Sequence, residues 1–353
     1  MKELKDYANE INKCSKCGLC QSVCPIYKET GNDCAVSRGK FVMLEGVLKG
    51  DLKLNKNINK YLEMCLKCGK CTNFCPSGID VCEIFRTAKH EYLKTSLEGK
   101  IIRLLQSKIV FNNLLKIFNR PSKSKNGNIL YFAGCAEKIF PNNTYAIKKI
   151  FNTLNYEISE PDFDCCGVPF LASGNLERYE EALHKNTEMI NKFNSDYILT
   201  DCTSCEDALK HYPEINKKVI NTGDFIKQLD IKFSFEQKQT ITFHKPCHLK
   251  DDSFFKSLLD KCENVEYREM KDYDDCCGFA GQFALTNRKL STEISRKKAQ
   301  NALDTGANII VTTCPACILG LKQGLIKQVG LFKKKPKVMY LSEFLAQAKL
   351  ITK

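Results

Sequence analysis

The chain has 353 residues, 21 of them cysteine, and a formal charge of +13. That length accommodates two or three domains with ordinary cores, so covalent staples are not required. The odd, tightly clustered cysteines and a start, MKELKDYANEINK, without an apolar signal core exclude a secreted disulfide scaffold and imply metal binding in a reducing, cytoplasmic setting.

The lysines are dispersed, with KKK at residues 333–335 as their only run. Bound thiolates and sulfides would offset part of the charge. The expected result is a Lys-rich surface able to steer an acidic redox partner, and no nucleic-acid partner, since no basic motif interleaved with aromatics is present. No apolar run reaches the ~18 residues of a transmembrane segment. A cytoplasmic location is expected, and peripheral attachment to the cytoplasmic face of a membrane is compatible with it.

Residues 14–25 read CSKCGLCQSVCP, and residues 65–76 read CLKCGKCTNFCP, 51 positions further on. Both have the form C-x2-C-x2-C-x3-C-P, in which three close cysteines serve one [4Fe–4S] cluster and the fourth ligates the other. The ligand sets are therefore crossed: Cys14, Cys17, Cys20 and Cys75 for the first cluster, and Cys65, Cys68, Cys71 and Cys24 for the second. Gly18 and Gly69 are placed to let backbone N–H groups approach the sulfurs. A four-cysteine zinc site is the alternative, although zinc favours two separated C-x2-C knuckles.

Residues 101–118, IIRLLQSKIVFNNLLKIF, carry apolar side chains scattered around a helix, which predicts a buried linker helix, with contact to a membrane surface or a partner as the alternative. The polar stretch PSKSKNGN at residues 121–128 marks a boundary. Beyond it, apolar β-prone runs alternate with helical stretches such as 175–193 and 290–302. NILYFAG precedes Cys135, DYILT precedes Cys202, TITFH leads to Cys247 and ANIIVTT precedes Cys314. The pattern predicts short, mainly parallel sheets, with the cysteines at the carboxyl ends of strands where such sheets bind ligands.

These cysteines are also duplicated. Cys135, Cys165, Cys166, Cys202 and Cys205 recur 111 or 112 positions later as Cys247, Cys276, Cys277, Cys314 and Cys317, and Gly167 and Gly278 follow the paired cysteines. Adjacent cysteines seldom bond each other, because the ring they close is strained, so metal binding is the better reading beside a C-x2-C pair. A zinc site or redox-active thiols are the alternatives. The predicted fold is α+β and multidomain: an α-helical, ferredoxin-like 2×[4Fe–4S] domain (1–97), a helical linker (98–127) and two duplicated α/β domains (128–235 and 236–353).

At FHKPCHLK, DDCCGFAGQF and TTCPACILGL, and at YFAGCAEK, DFDCCGVPF and TDCTSCEDAL, the sequence resembles the CCG or cysteine-rich domain proteins. That family includes the iron–sulfur subunits of glycolate oxidase, of lactate-utilisation complexes and of anaerobic glycerol-3-phosphate dehydrogenase, and the catalytic subunits of heterodisulfide reductase. The stretch CAVSRGKFVMLEGVLKG and the later CPSGID look like the glycolate oxidase subunit, whereas two intact quintets look like heterodisulfide reductase. The resemblance implies one further iron–sulfur cluster per CCG domain, of the non-cubane [4Fe–4S] kind, on Cys135, Cys165, Cys166, Cys202 and Cys205, and on Cys247, Cys276, Cys277, Cys314 and Cys317.

Three functions stay open on the sequence. In the first, the chain is an oxidoreductase electron-transfer subunit that passes single electrons from a flavoprotein partner oxidising glycolate or lactate to a quinone or soluble carrier. No G-x-G-x-x-G follows a predicted strand, so hydride chemistry would lie with that partner. In the second, the CCG clusters themselves reduce a disulfide. In the third, zinc structures an interaction protein. His244 and His248 flank Cys247 and are able to serve a cluster sulfur or a proton, or to be structural only. Cys34, Cys82 and Cys262 read as ordinary semi-buried thiols.

Overall fold

Each apolar run that leads to a cysteine in the C-terminal part forms a strand. The computed structural model describes residues 2–107, 110–111, 129–215, 217–331 and 333–352. Its strands are β1 (Ile129–Tyr131), β2 (Ile158–Ser159), β3 (Tyr197–Thr200), β4 (Lys218–Asn221), β5 (Ile231–Phe243), β6 (Cys262–Tyr267), β7 (Ile309–Thr312), β8 (Lys337–Tyr340) and β9 (Lys349–Thr352). They build two sheets, β2-β1-β3-β4 and β6-β5-β7-β8, both parallel, with β9 antiparallel on β5. Ile129 lies opposite Tyr197, and Ile241 lies opposite Ile309, so residues 112 apart in sequence occupy the same register. β1 and β7 are buried along their whole length, as strands covered on both faces must be, which explains their unbroken apolar runs.

The chain divides into two compact units. One comprises residues 1–110, 169–178 and 278–294, and the other residues 111–168, 179–277 and 295–353. The second unit holds both sheets around one continuous apolar core. Phe151 and Phe225 from the first half lie 5.6 Å apart, and Phe235 stacks on Phe344 at 4.6 Å within the same cluster. β5 runs through residues 235 and 236, and its first residues, Ile231 to Ser234, pair with β9.

The first unit is helical within residues 2–107 and has its own core. Leu4, Tyr7, Leu44, Leu62 and Phe85 are buried there, and Phe41 meets Phe85 at 5.3 Å. The linker reading needs correction over its described turns. Helix Leu97–Leu105 presses Gly99 against the Leu93 main chain. The opposite face therefore points outward, and Leu97, Ile101, Leu104 and Leu105 are exposed in one stripe rather than buried or scattered. The rest of the expected linker helix and the boundary at 121–128 lie outside the described residues. Among those described, no helix is long and apolar enough to cross a membrane.

Candidate metal centres

The two N-terminal motifs adopt the same loop. Lys16 and Lys67 have left-handed backbone at φ 57° and 54°, and Gly18 and Gly69 follow at 85° and 74°. Glycine takes this conformation without the Cβ penalty that other residues carry. The winding aims main-chain N–H groups inward: Lys67 N–H donates to Cys65 Sγ at 3.4 Å, and the Leu19 N–H is the main influence holding the Cys17 thiol below its ordinary value. The expected approach of N–H groups to sulfur is present, delivered by the residues beside the glycines.

The motifs also interleave. Cys14, Cys17 and Cys20 line one small cavity together with Cys71, Cys75 and Pro76 from the other motif. Cys24 lies close enough to Cys65 and Cys71 for their charges to interact, and burial pushes the Cys24 and Cys71 thiols up. Cys68 is half-buried in the same loop as Cys65. Cys82, which shows no spacing signal, is buried beside Cys65 and Cys71, and burial pushes its thiol up to about 11. Cys34 is half-buried, and Cys262 donates to the Leu258 carbonyl at 3.1 Å, as an ordinary core thiol does.

Three lysines that sequence reasoning missed surround the second motif. Lys40, 2% exposed, donates to the Met64 carbonyl at 2.9 Å and exerts its charge on Cys24. Lys89, equally buried, pairs with Glu63 at 3.2 Å and donates to Gln282 at 2.9 Å. Lys67 donates to the Ala172 carbonyl, and burial lowers its ammonium to about 7. Lysine is mostly a surface residue, so nothing in the sequence sets these three apart. Lys40 and Lys89, buried close to thiols, suit a negatively charged group held between them.

In the second unit the cysteines gather at the carboxyl ends of β1, β3, β5 and β7. Cys135 opens helix Cys135–Ile139, while Cys202 and Cys314 precede helices Thr203–Lys210 and Pro315–Val329. Cys135 and Cys165 sulfurs lie 3.3 Å apart, as do those of Cys166 and Cys205. Cys247 adjoins Cys276, and Cys317 adjoins Cys277 and Cys314. Hydrogen bonds from Cys165 and then Cys205 lower Cys166 to about 5, and those from Cys202 and then Cys317 hold Cys314 well below the usual thiol range. The carbonyls of the paired cysteines are tied down by Tyr212 (to Cys166, 2.9 Å), Asn186 (to Cys165, 3.0 Å) and Ser295 (to Cys277, 2.8 Å).

The two quintets meet, which their separation in sequence conceals. Cys202 lies against Cys314, and Thr203 donates from both its N–H and its hydroxyl to the Thr313 carbonyl, each at 2.9 Å. The Thr203 and Thr313 hydroxyls are 2.7 Å apart. Ser204 meets His248 Nδ1 at 3.0 Å and Cys314 Sγ at 3.8 Å. His244 is fully buried near Cys277 and Cys317.

Two buried acids flank the first quintet. Tyr131 donates to Glu137 at 2.6 Å, and Ser342 donates to Asp201. Burial raises Glu137 to about 8 and Asp201 to about 7. A carboxyl whose folded value is raised stabilises the fold fully below its unfolded value, and that stability is lost as pH rises through the folded value. Between about pH 5 and 8, stability is therefore expected to fall, and Glu137→Gln, which keeps an acceptor for Tyr131, is expected to flatten the fall by on the order of 2–4 kcal/mol. Anaerobic chemical denaturation across that range checks this; parallel pH curves for the two proteins would refute it.

Ten cysteines closed on one another, none in a disulfide, form a donor set suited to soft metal and sulfide. A cysteine-rich (CCG) domain matches residues 129–210 and again 241–322, and a 4Fe-4S dicluster domain matches residues 10–79. The chain belongs to the CCG-domain iron–sulfur proteins, and its domains are those of iron–sulfur cluster binding. It is 23% identical to a probable glycolate oxidase iron-sulfur subunit of Bacillus subtilis, with 98% of each chain covered. It is 24% identical to one subunit of the dihydromethanophenazine:CoB–CoM heterodisulfide reductase of Methanosarcina acetivorans, with 89% of each covered. Both relatives are components of oxidoreductases. Among solved structures, a hypothetical protein from Helicobacter pylori shares the fold at TM-score 0.56 and 10% identity, over 87% of this chain and 67% of that one.

Proposed function

We propose that the chain is the electron-transfer subunit of a flavin-linked oxidase or dehydrogenase for a small 2-hydroxy acid of the glycolate or lactate type. It takes single electrons from a flavoprotein partner and passes them to a quinone or another carrier. The observation that carries this reading is the interleaving of the N-terminal motifs, with Cys75 beside Cys14, Cys17 and Cys20, and Cys24 beside Cys65 and Cys71. Iron–sulfur clusters, when bound, supply one-electron chemistry. In this proposal Cys14, Cys17, Cys20 and Cys75 hold one [4Fe–4S] cluster and Cys65, Cys68, Cys71 and Cys24 the other, within residues 1–97. Each CCG quintet holds one further cluster, in the domains at 128–235 and 236–353. Similarity to the glycolate oxidase subunit along nearly the whole chain supports the 2-hydroxy-acid class.

A second reading, reduction of a disulfide at the CCG centres, is favoured by two complete quintets that touch at Cys202 and Cys314. Anaerobically reconstituted protein separates the two. If it restores dye reduction to a flavin-bearing 2-hydroxy-acid dehydrogenase and is inert toward disulfides with a viologen donor, the first reading stands. Rapid disulfide reduction by the chain alone would replace it with the second. Metal analysis that finds zinc without iron or acid-labile sulfide would remove both.

A further inference from the structure

The two CCG halves share one backbone slot but fill it differently. Phe132 follows β1 and its N–H donates to the Leu199 carbonyl at 2.8 Å; His244, 112 positions later, follows β5 and donates in the same way to Val311 at 2.9 Å. Both side chains are 0% exposed. Phe132 stacks on Phe163 at 4.7 Å, so the slot is satisfied by an apolar ring. Placing an imidazole there buries two polar nitrogens, and neither has a hydrogen-bond partner among the described residues. An unsatisfied buried polar group is costly, so the imidazole calls for something that occupies a ring nitrogen.

The surroundings indicate what that is. A ring nitrogen of His244 and the sulfurs of Cys277 and Cys317 all lie within 4.8 Å of one another. Metal–sulfur and metal–nitrogen bonds of about 2.3 and 2.0 Å put neighbouring donors of a tetrahedral ion roughly 3.5–4 Å apart, which this trio reaches by small side-chain shifts. The Tyr273 carbonyl lies near the ring, short of hydrogen-bond geometry but close enough to favour a ring N–H. Metal-bound histidines commonly direct their second nitrogen to such a carbonyl.

We infer that His244 is a metal ligand of the second CCG centre, sharing one ion of that centre with Cys277 and Cys317, whereas the first centre is held by thiolates alone. The inference rests on the reading that the second quintet binds an iron–sulfur cluster. Both centres keep five thiolates, and the second has one neutral donor more, so its potential is expected to differ from that of the first.

The test uses full-length, anaerobically reconstituted protein carrying 15N-histidine. Pulsed EPR of the paramagnetic CCG centres is expected to show one strongly coupled histidine nitrogen. His244→Phe, which copies the first half, is expected to abolish that coupling and shift the potential of one CCG centre, while His248→Ala retains the coupling. The N-terminal cluster signals report that each variant is folded and loaded. Full iron content with only weak nitrogen coupling in the unsubstituted protein, or coupling that survives His244→Phe, overturns the inference alone. Iron at about eight per chain, the content of the N-terminal clusters by themselves, overturns the underlying reading as well.

Discussion

Cys75→Ser is expected to remove the same cluster as Cys20→Ser, although the two residues belong to different motifs. Each variant should lose about four of the irons of the N-terminal pair, and Cys24→Ser should lose the other four. The reason is the interleaving: Cys71 and Cys75 both line the cavity of the first motif, the C-P spacing assigns Cys75 to it, and Cys24 lies with Cys65 and Cys71. Serine oxygen is a poor substitute for thiolate on iron, and each lost ligand leaves an exposed iron corner. Iron and sulfide analysis with EPR after full reduction distinguishes the variants. If Cys75→Ser instead matched Cys71→Ser, the ligands would belong to their own motifs and the crossed assignment would be wrong.

The second large effect is expected at the glycine that completes each paired-cysteine motif. Gly278 has φ 81°, and a Cβ there would stand 2.9 Å from both the Ile294 Cβ and the Ser291 carbonyl oxygen. The Ser291 hydroxyl already donates to the Gly278 carbonyl at 2.8 Å, so that helix cannot retreat without breaking a buried bond. Gly278→Ala therefore combines left-handed strain with overpacking, together about 2–5 kcal/mol. Gly167 repeats the arrangement at φ 88°, with Tyr179 Cδ2 only 2.4 Å from the added carbon. Anaerobic denaturation measures the loss; a midpoint unchanged in either variant would show that the glycine is not required by its backbone.

Much of this arrangement is legible in the sequence because repetition is. The two spacings define four cysteine sets, and the apolar runs before Cys135, Cys202, Cys247 and Cys314 locate the central strands β1, β3, β5 and β7. The edge strands are not legible: Ile158–Ser159 spans two residues, and Cys262–Tyr267 reads CENVEY, half-exposed and charged. Nor are the buried groups that flank the centres. Lys40, Lys89, Glu137 and Asp201 look like surface residues until the fold closes over them, since burial of a charge is decided by long-range packing and leaves no local pattern. The exposed stripe on helix Leu97–Leu105 escapes the sequence because its orientation depends on Gly99 meeting Leu93, a contact that periodicity over residues 101–118 does not contain.

The threonine seam constrains how this protein can change over generations. Thr203 and Thr313 hold each other through three short contacts, one step from Cys202 and Cys314, and the sheets beneath share one core. A duplicated gene usually frees one copy to drift. Here a bulky replacement on one side of the seam presses on a cysteine of the other half, so the two halves are coupled at that line.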